Sequence, residues 1–153
     1  KNIYSLQELS CDAVYVFKLK VKKINFQHTH NVIEIGLVNT CLFKYGNTLS
    51  KSFRDEEYRS KSYGKQIRIN DIDEIIEVII DFGYDENNGL LSIHRYPDST
   101  LTVSNLKYSC MIAKHSTATN GHRLNMYKFA IAMKQTGLAV ELFHFFQHDL
   151  CVT

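Results

Sequence analysis

Apolar and polar residues alternate most strictly between Ala13 and Lys23, A-V-Y-V-F-K-L-K-V-K-K. Tyr15, Phe17, Leu19 and Val21 take the odd positions, and Lys18, Lys20 and Lys22 take even ones. Successive strand side chains point to opposite faces, so this period of two predicts a strand with an apolar row inward and a lysine row outward. Three lysines on one face repel one another, and an anionic partner would relieve that repulsion. The other reading is a solvated outer face or a blunted sheet edge.

Further along, the apolar period lengthens. Ile33, Leu37, Val38, Cys41, Leu42 and Tyr45 recur at three- and four-residue spacing and predict a helix from Asn31 to Gly46. Asn31 with Glu34 resembles a capping box at its start, and Gly46-Asn47 supplies a stop. Gly36 inside it either weakens the helix by about 1 kcal/mol relative to alanine or marks close packing. Residues 4–9 read as a short helix or arm. Residues 48–66 have no apolar period and predict a long mobile loop in which cations and aromatics interleave.

From about Glu74 to Tyr84 the β-branched run predicts a strand, and Asp85–Gly89 has the chemistry of a hairpin loop. Leu90–Tyr96, Thr100–Leu106 and Tyr108–Lys114 extend it into an antiparallel meander. Met126, Tyr127, Ala130, Ile131 and Met133 predict a second helix over Arg123–Thr136, ended by Gly137. Leu138–Phe146 is apolar at both parities, which predicts a central or covered strand. The expected class is α+β: an antiparallel sheet of about five to six strands with two main helices packed on it.

Composition limits the function classes. With 153 residues, 44% of them hydrophobic, the chain has enough apolar material for a single globular core domain over 1–153. No run approaches the roughly 18 apolar residues of a membrane-spanning helix. The opening K-N-I-Y-S-L-Q-E-L has neither a signal-peptide core nor an initiator methionine, so an upstream segment is expected to precede it. Cys11, Cys41, Cys110 and Cys151 are widely spaced and read as reduced thiols of a cytosolic or nuclear protein, with Cys41 and Cys110 in the core.

Net charge is +2, but it is unevenly placed. The first 70 residues hold 12 Lys/Arg against 6 Asp/Glu, and the remainder hold 6 against 10. A basic face toward nucleic acid or an anionic membrane follows, as does self-association of the basic side with the acidic side of another copy. The candidate cations are Lys18, Lys20, Lys22 and Lys23 of the strand and Lys51, Arg54, Arg59, Lys61 and Lys65 of the loop. Phe53, Tyr58 and Tyr63 are the candidate aromatic contacts, suited to stacking on bases or to insertion at headgroup level.

Catalytic patterns fail at their second residue. His28-Thr29-His30 puts two imidazoles on one strand face, a weak candidate metal pair with no assignable third ligand. Rolling-circle nucleases resemble it, with Tyr58 or Tyr63 as the nucleophile, but their pair encloses a hydrophobe. Pro97-Asp98 would open a PD-(D/E)xK site, yet Asn105 and Ile112 stand where an acid should precede Lys107 or Lys114. His115-Ser116-Thr117 has the H-x-T form of two-histidine phosphoesterases without its second copy. Phosphate-binding glycine loops are absent. The expectation is a non-enzymatic protein with no cofactor and no small-molecule substrate.

His122–Lys134, then Gly137 and Leu138–Phe146, resembles the end of rhabdovirus matrix proteins, where an arginine-started helix stops at a glycine and feeds an apolar strand. V-Y-V-F-K-L-K-V resembles that family's first core strand, and I-I-E-V-I-I-D-F-G-Y-D-E its mid-chain strand and acidic turn. The resemblance implies a compact α+β core. It also implies a viral structural protein that self-associates and bridges the inner face of an anionic lipid membrane to a nucleocapsid RNA during assembly and budding. Its setting would be the host cytoplasm, the membrane's inner face and the virion, or the nucleus. The alternative, from the basic half alone, is a nucleic-acid-binding or nuclease-like module.

Overall fold

A computed structural model of the chain describes residues 2–27, 30–42, 51–96, 107–114 and 125–150. Their strands are β1 (Asn2–Tyr4), β2 (Ala13–Lys23), β3 (Asn31–Asn39), β4 (Ser62–Ile69), β5 (Ile75–Asp81), β6 (Asn88–Tyr96), β7 (Lys107–Ala113), β8 (Tyr127–Met133) and β9 (Ala139–Asp149). They form two antiparallel sheets, ordered β1-β8-β3-β4 and β7-β6-β5-β2-β9. The α+β expectation is therefore corrected to an all-β pair of sheets, since no helix of the described residues reaches seven residues.

β2 obeys its alternation. Ala13, Tyr15, Phe17, Leu19 and Val21 are all buried between the sheets, while the residues between them are partly exposed. Ile76, Val78 and Ile80 of β5 meet them from the same sheet, and Ile33, Ile35 and Leu37 of β3 from the facing one. Phe17 stacks on Phe129 of β8 at 4.2 Å with rings 4° apart, joining the two layers. Each such buried side chain contributes roughly 1.5–3 kcal/mol.

The two expected helices are the two central strands of the smaller sheet. β3 runs where the first helix was expected, and β8 lies within the second. The physical reason is that both faces of these strands are covered. In β8 apolar or small residues then stand at consecutive positions from Phe129 to Met133, in β3 Val32 and Val38 add apolar residues at the second parity, and a three-four spacing emerges by accident. Asn31 does not cap a helix; it exchanges two hydrogen bonds with the Asn25 backbone, at 2.9 and 3.1 Å. The described part of the segment resembling a matrix-protein helix, from Asn125, is extended rather than helical.

The second covering layer comes from the expected loop. Residues 51–61 lie across the outer face of the smaller sheet and end in a 3-10 turn, Glu56–Lys61. Gly64, Gly36, Ala130 and Tyr4 align across β4, β3, β8 and β1. Phe53 and Tyr58 pack with Val38, Ala130 and Ala132 on that face, whose small residues leave room for rings. Asn2 anchors the segment by donating to the Lys51 carbonyl at 2.7 Å and accepting from the Phe53 amide at 3.2 Å. From Ser62 the expected loop is strand β4; residues 48–50 lie outside the described residues.

The meander is found as expected over β5 and β6, with the Asp85 carboxylate accepting from the Asn87 and Asn88 amides in the turn. β7 completes it, and the strand expected over 100–106 lies outside the described residues. Residues 2–4 form β1 where an arm or helix was expected nearby, and β9 is an edge strand rather than a covered one. Among the described cysteines Cys11 is buried, whereas Cys41, expected in the core, is exposed and Cys110, also expected there, is half-buried; Cys151 lies outside the described residues. No helix of the described residues is long and apolar enough to cross a membrane.

Candidate functional site

The lysine row meets acids from neighbouring strands. Lys18 pairs with Glu77 of β5 at 3.7 Å, Lys20 with Asp73 at 3.9 Å and Lys22 with Glu141 of β9 at 3.7 Å. Antiparallel pairing brings these partners alongside, because Lys18 is opposite Glu77 and Lys20 is opposite Glu141. The row is a mixed-charge ladder on the outer face of the larger sheet, and the mutual repulsion expected from the sequence is relieved within the chain.

Cations instead gather where β4 meets β7. A groove of about 270 Å³ is lined by Arg54, Arg59, Lys65, Gln66, Gly64, Glu34 and Tyr108. A second hollow, of about 520 Å³, is lined by His30, Val32, Lys65, Gln66 and Arg68. Lys65 and Gln66 belong to both, so the two form one strip along β4. Arg54 is held there by donating to the Ser62 carbonyl and hydroxyl at 2.9 and 3.0 Å, and Arg59 Nε donates to the Arg54 carbonyl at 3.3 Å. Each guanidinium is fixed through a single nitrogen, Nη1 of Arg54 and Nε of Arg59, and keeps further N–H donors for an oxyanion.

Lys65 shares its strand face with the core residues Tyr63 and Ile67, yet it is exposed. The facing sheet explains this: its ammonium lies over the Tyr108 ring of β7, 5.7 Å from the centroid. A charge pointing inward at an edge also discourages another strand from docking there. Burial raises the Tyr108 hydroxyl to about 12, helped by its hydrogen bond with Cys110 and opposed by nearby Arg54.

Glu34 is the one acid among the lining residues, and it is engaged. Lys134 of the β8–β9 turn reaches it at 3.2 Å and Asp55 at 3.4 Å. Burial works against the charge on Lys134, but Glu34 and then Asp55 outweigh it and raise its pKa.

The expected site residues thus divide. Arg54, Arg59 and Lys65 converge, whereas Lys51 pairs with Glu57, and neither Lys51, Lys61 nor Lys23 lines the groove. Of the expected aromatic contacts, Phe53 and Tyr58 are buried against the outer face of the smaller sheet. Tyr63 packs edge-on against Tyr127 at 5.9 Å. His30 is exposed in the second hollow, His28 lies outside the described residues, and no three His, Cys, Asp or Glu among the described residues gather to hold a metal ion. Arg68, Gln66 and Tyr108 were missed: Gln66 is an uncharged residue at the end of the expected loop, Arg68 follows that loop in a stretch given no element, and Tyr108 sat in a segment read only as strand. Comparison with known proteins finds no matching family model, no matching curated protein and no matching solved structure.

Proposed function

We propose that this chain is a non-enzymatic assembly protein that holds a polyanionic strand, of the single-stranded nucleic-acid class, along the β4 edge. One observation carries the reading: Arg54, Arg59, Lys65 and Arg68 line a strip along β4 whose one lining acid, Glu34, is paired with Lys134. Phosphates spaced along a strand match cations spaced along a β-edge better than a single small anion does. Tyr108 supplies an aromatic face beside them. The membrane-bridging role expected from the matrix resemblance drew on the lysine row, whose engagement by Glu77, Asp73 and Glu141 leaves the β4 strip as the better-supported anion site.

The test is fluorescence anisotropy of a labelled single-stranded RNA across salt, run beside co-sedimentation with vesicles containing anionic lipid. The expected result is RNA binding whose log–log salt slope falls by about 0.7 for each groove cation removed. Vesicle binding without RNA binding, or RNA affinity unchanged by Lys65→Ala and Arg68→Ala, overturns it.

A further inference from the structure

β9 is the edge of the larger sheet, and among the described residues it pairs only with β2. Its apolar side chains are open to solvent: Leu142 is 51% exposed, Phe143 44%, Phe145 53% and Phe146 49%. Both edges of the smaller sheet are defended. β4 carries the inward Lys65 and exposed Arg68, and β1 has only three residues. An 11-residue edge with four large apolar side chains is a template for another strand.

We infer that β9 pairs antiparallel with β9 of a second copy across a two-fold axis through Phe145, joining two five-stranded sheets into one. The register argues for a second copy. A bulge inserts Phe143 between Leu142, opposite Leu19, and His144, opposite Lys18. Counting paired positions from Phe145, the bulge makes Glu141 and His148 equidistant from it. A two-fold axis preserves faces, so Glu141 falls across from His148 of the other copy, twice. Without the bulge Glu141 would face Asp149, a like charge. Phe145 meets its own mate at the axis on the core-facing side, and His144 faces Phe146 on the other. In this register the strand is complementary to itself at Glu141 and His148.

This interface does not rest on the nucleic-acid reading. The β4 groove lies beside β7, four strand spacings or roughly 19 Å across the sheet from β9. The pairing would leave both copies' grooves at the outer ends of the joined sheet.

Sedimentation equilibrium over a wide concentration range reads the assembly state, and cysteine cross-linking reads the register. With exposed Cys41 replaced by serine, Phe145→Cys puts a thiol on the axis, where strand partners are about 4.5–5.5 Å apart between Cα atoms. That spacing suits a disulfide. Gln147→Cys puts its thiol opposite the bulge of the partner instead. The expected result is a monomer–dimer equilibrium, abolished by Phe145→Asp with the circular dichroism unchanged, and roughly tenfold faster cross-linking at 145 than at 147. A monomer at all concentrations, open-ended growth from β9 docking on β7, or equal cross-linking at both positions overturns the inference.

Discussion

Gly36 of β3 lies directly opposite Gly64 of β4, and a methyl group on Gly36 would fall 1.8 Å from the Tyr63 carbonyl oxygen. The next atom it would meet, at 2.6 Å, is the Gly64 Cα, so both obstacles are backbone. Gly36→Ala should therefore destabilise the fold by roughly 3 kcal/mol or more, at the upper end of overpacking effects. Urea unfolding followed by circular dichroism measures it; a midpoint equal to the parent's would contradict the close approach.

The same sheet face sets the value of Phe53. A ring fully buried among Val38, Ala130 and Ala132 should lose about 3–5 kcal/mol on truncation to alanine. A residue of a mobile loop would lose no more than about 0.5 kcal/mol. Thermal unfolding of Phe53→Ala beside Arg59→Ala separates the two cases.

The lysine row and the β4 strip make opposite predictions for nucleic acid. Lys18, Lys20 and Lys22 already have acid partners at 3.7–3.9 Å, so replacing all three with alanine should leave the RNA salt slope within error. The Lys20–Asp73 and Lys22–Glu141 pairs are exposed and contribute only about 0–1 kcal/mol each, and Lys18–Glu77, whose acid is mostly covered, is the pair whose loss should cost the fold most. Replacing Lys65 and Arg68 should lower the slope by about 1.4 in total. Reversal of that order would place the anion on the larger sheet's outer face.

Alkali should unfold the chain before its buried tyrosines ionise. Burial is the main cause raising Tyr15, Tyr108 and Tyr127, Tyr108 to about 12. The Tyr127 hydroxyl also donates to the Ala113 carbonyl at 2.6 Å. A folded-state pKa above the unfolded value of about 10 means that the native state holds its proton more tightly. The associated stability is complete below about pH 10 and is lost progressively above it. A pH titration should show tyrosinate absorbance and loss of sheet signal rising together; ionisation of all nine tyrosines with the sheet intact would refute this.

Sequence pattern and structure agree where only one face of a strand is buried. Tyr15, Phe17, Leu19 and Val21 alternate because the outer face of β2 stays partly open to water. In β3, Ile33, Ile35 and Leu37 alternate with Glu34 and Gly36, but Val32 and Val38 add apolar residues at the other parity, and Phe53 with Tyr58 covers that face at Val38. The covering residues are remote in sequence from β8, so nothing local to Tyr127–Met133 reveals them. β9 misled in the opposite sense: apolar residues at both parities signalled a covered strand, and the strand is an edge. For the groove, Arg54, Arg59 and Lys65 were visible as cations. Their convergence with Arg68 and Tyr108 depends on β4 and β7 meeting at the side of the two layers.

The pairing of β8 with β3 and of β9 with β2 has a consequence for how the chain acquires its structure. Ala13 is matched to Asp149 and Ile33 to Met133, so each layer needs residues made at opposite times on the ribosome. Until β8 and β9 emerge, β2 and β3 each lack one neighbour. Closing such distant pairs is slow, and the waiting strands offer open edges to other nascent chains. The yield of folded chain on synthesis should therefore rise when chaperones that cover open strand edges are supplied in excess, as soluble yield from cell-free translation would measure.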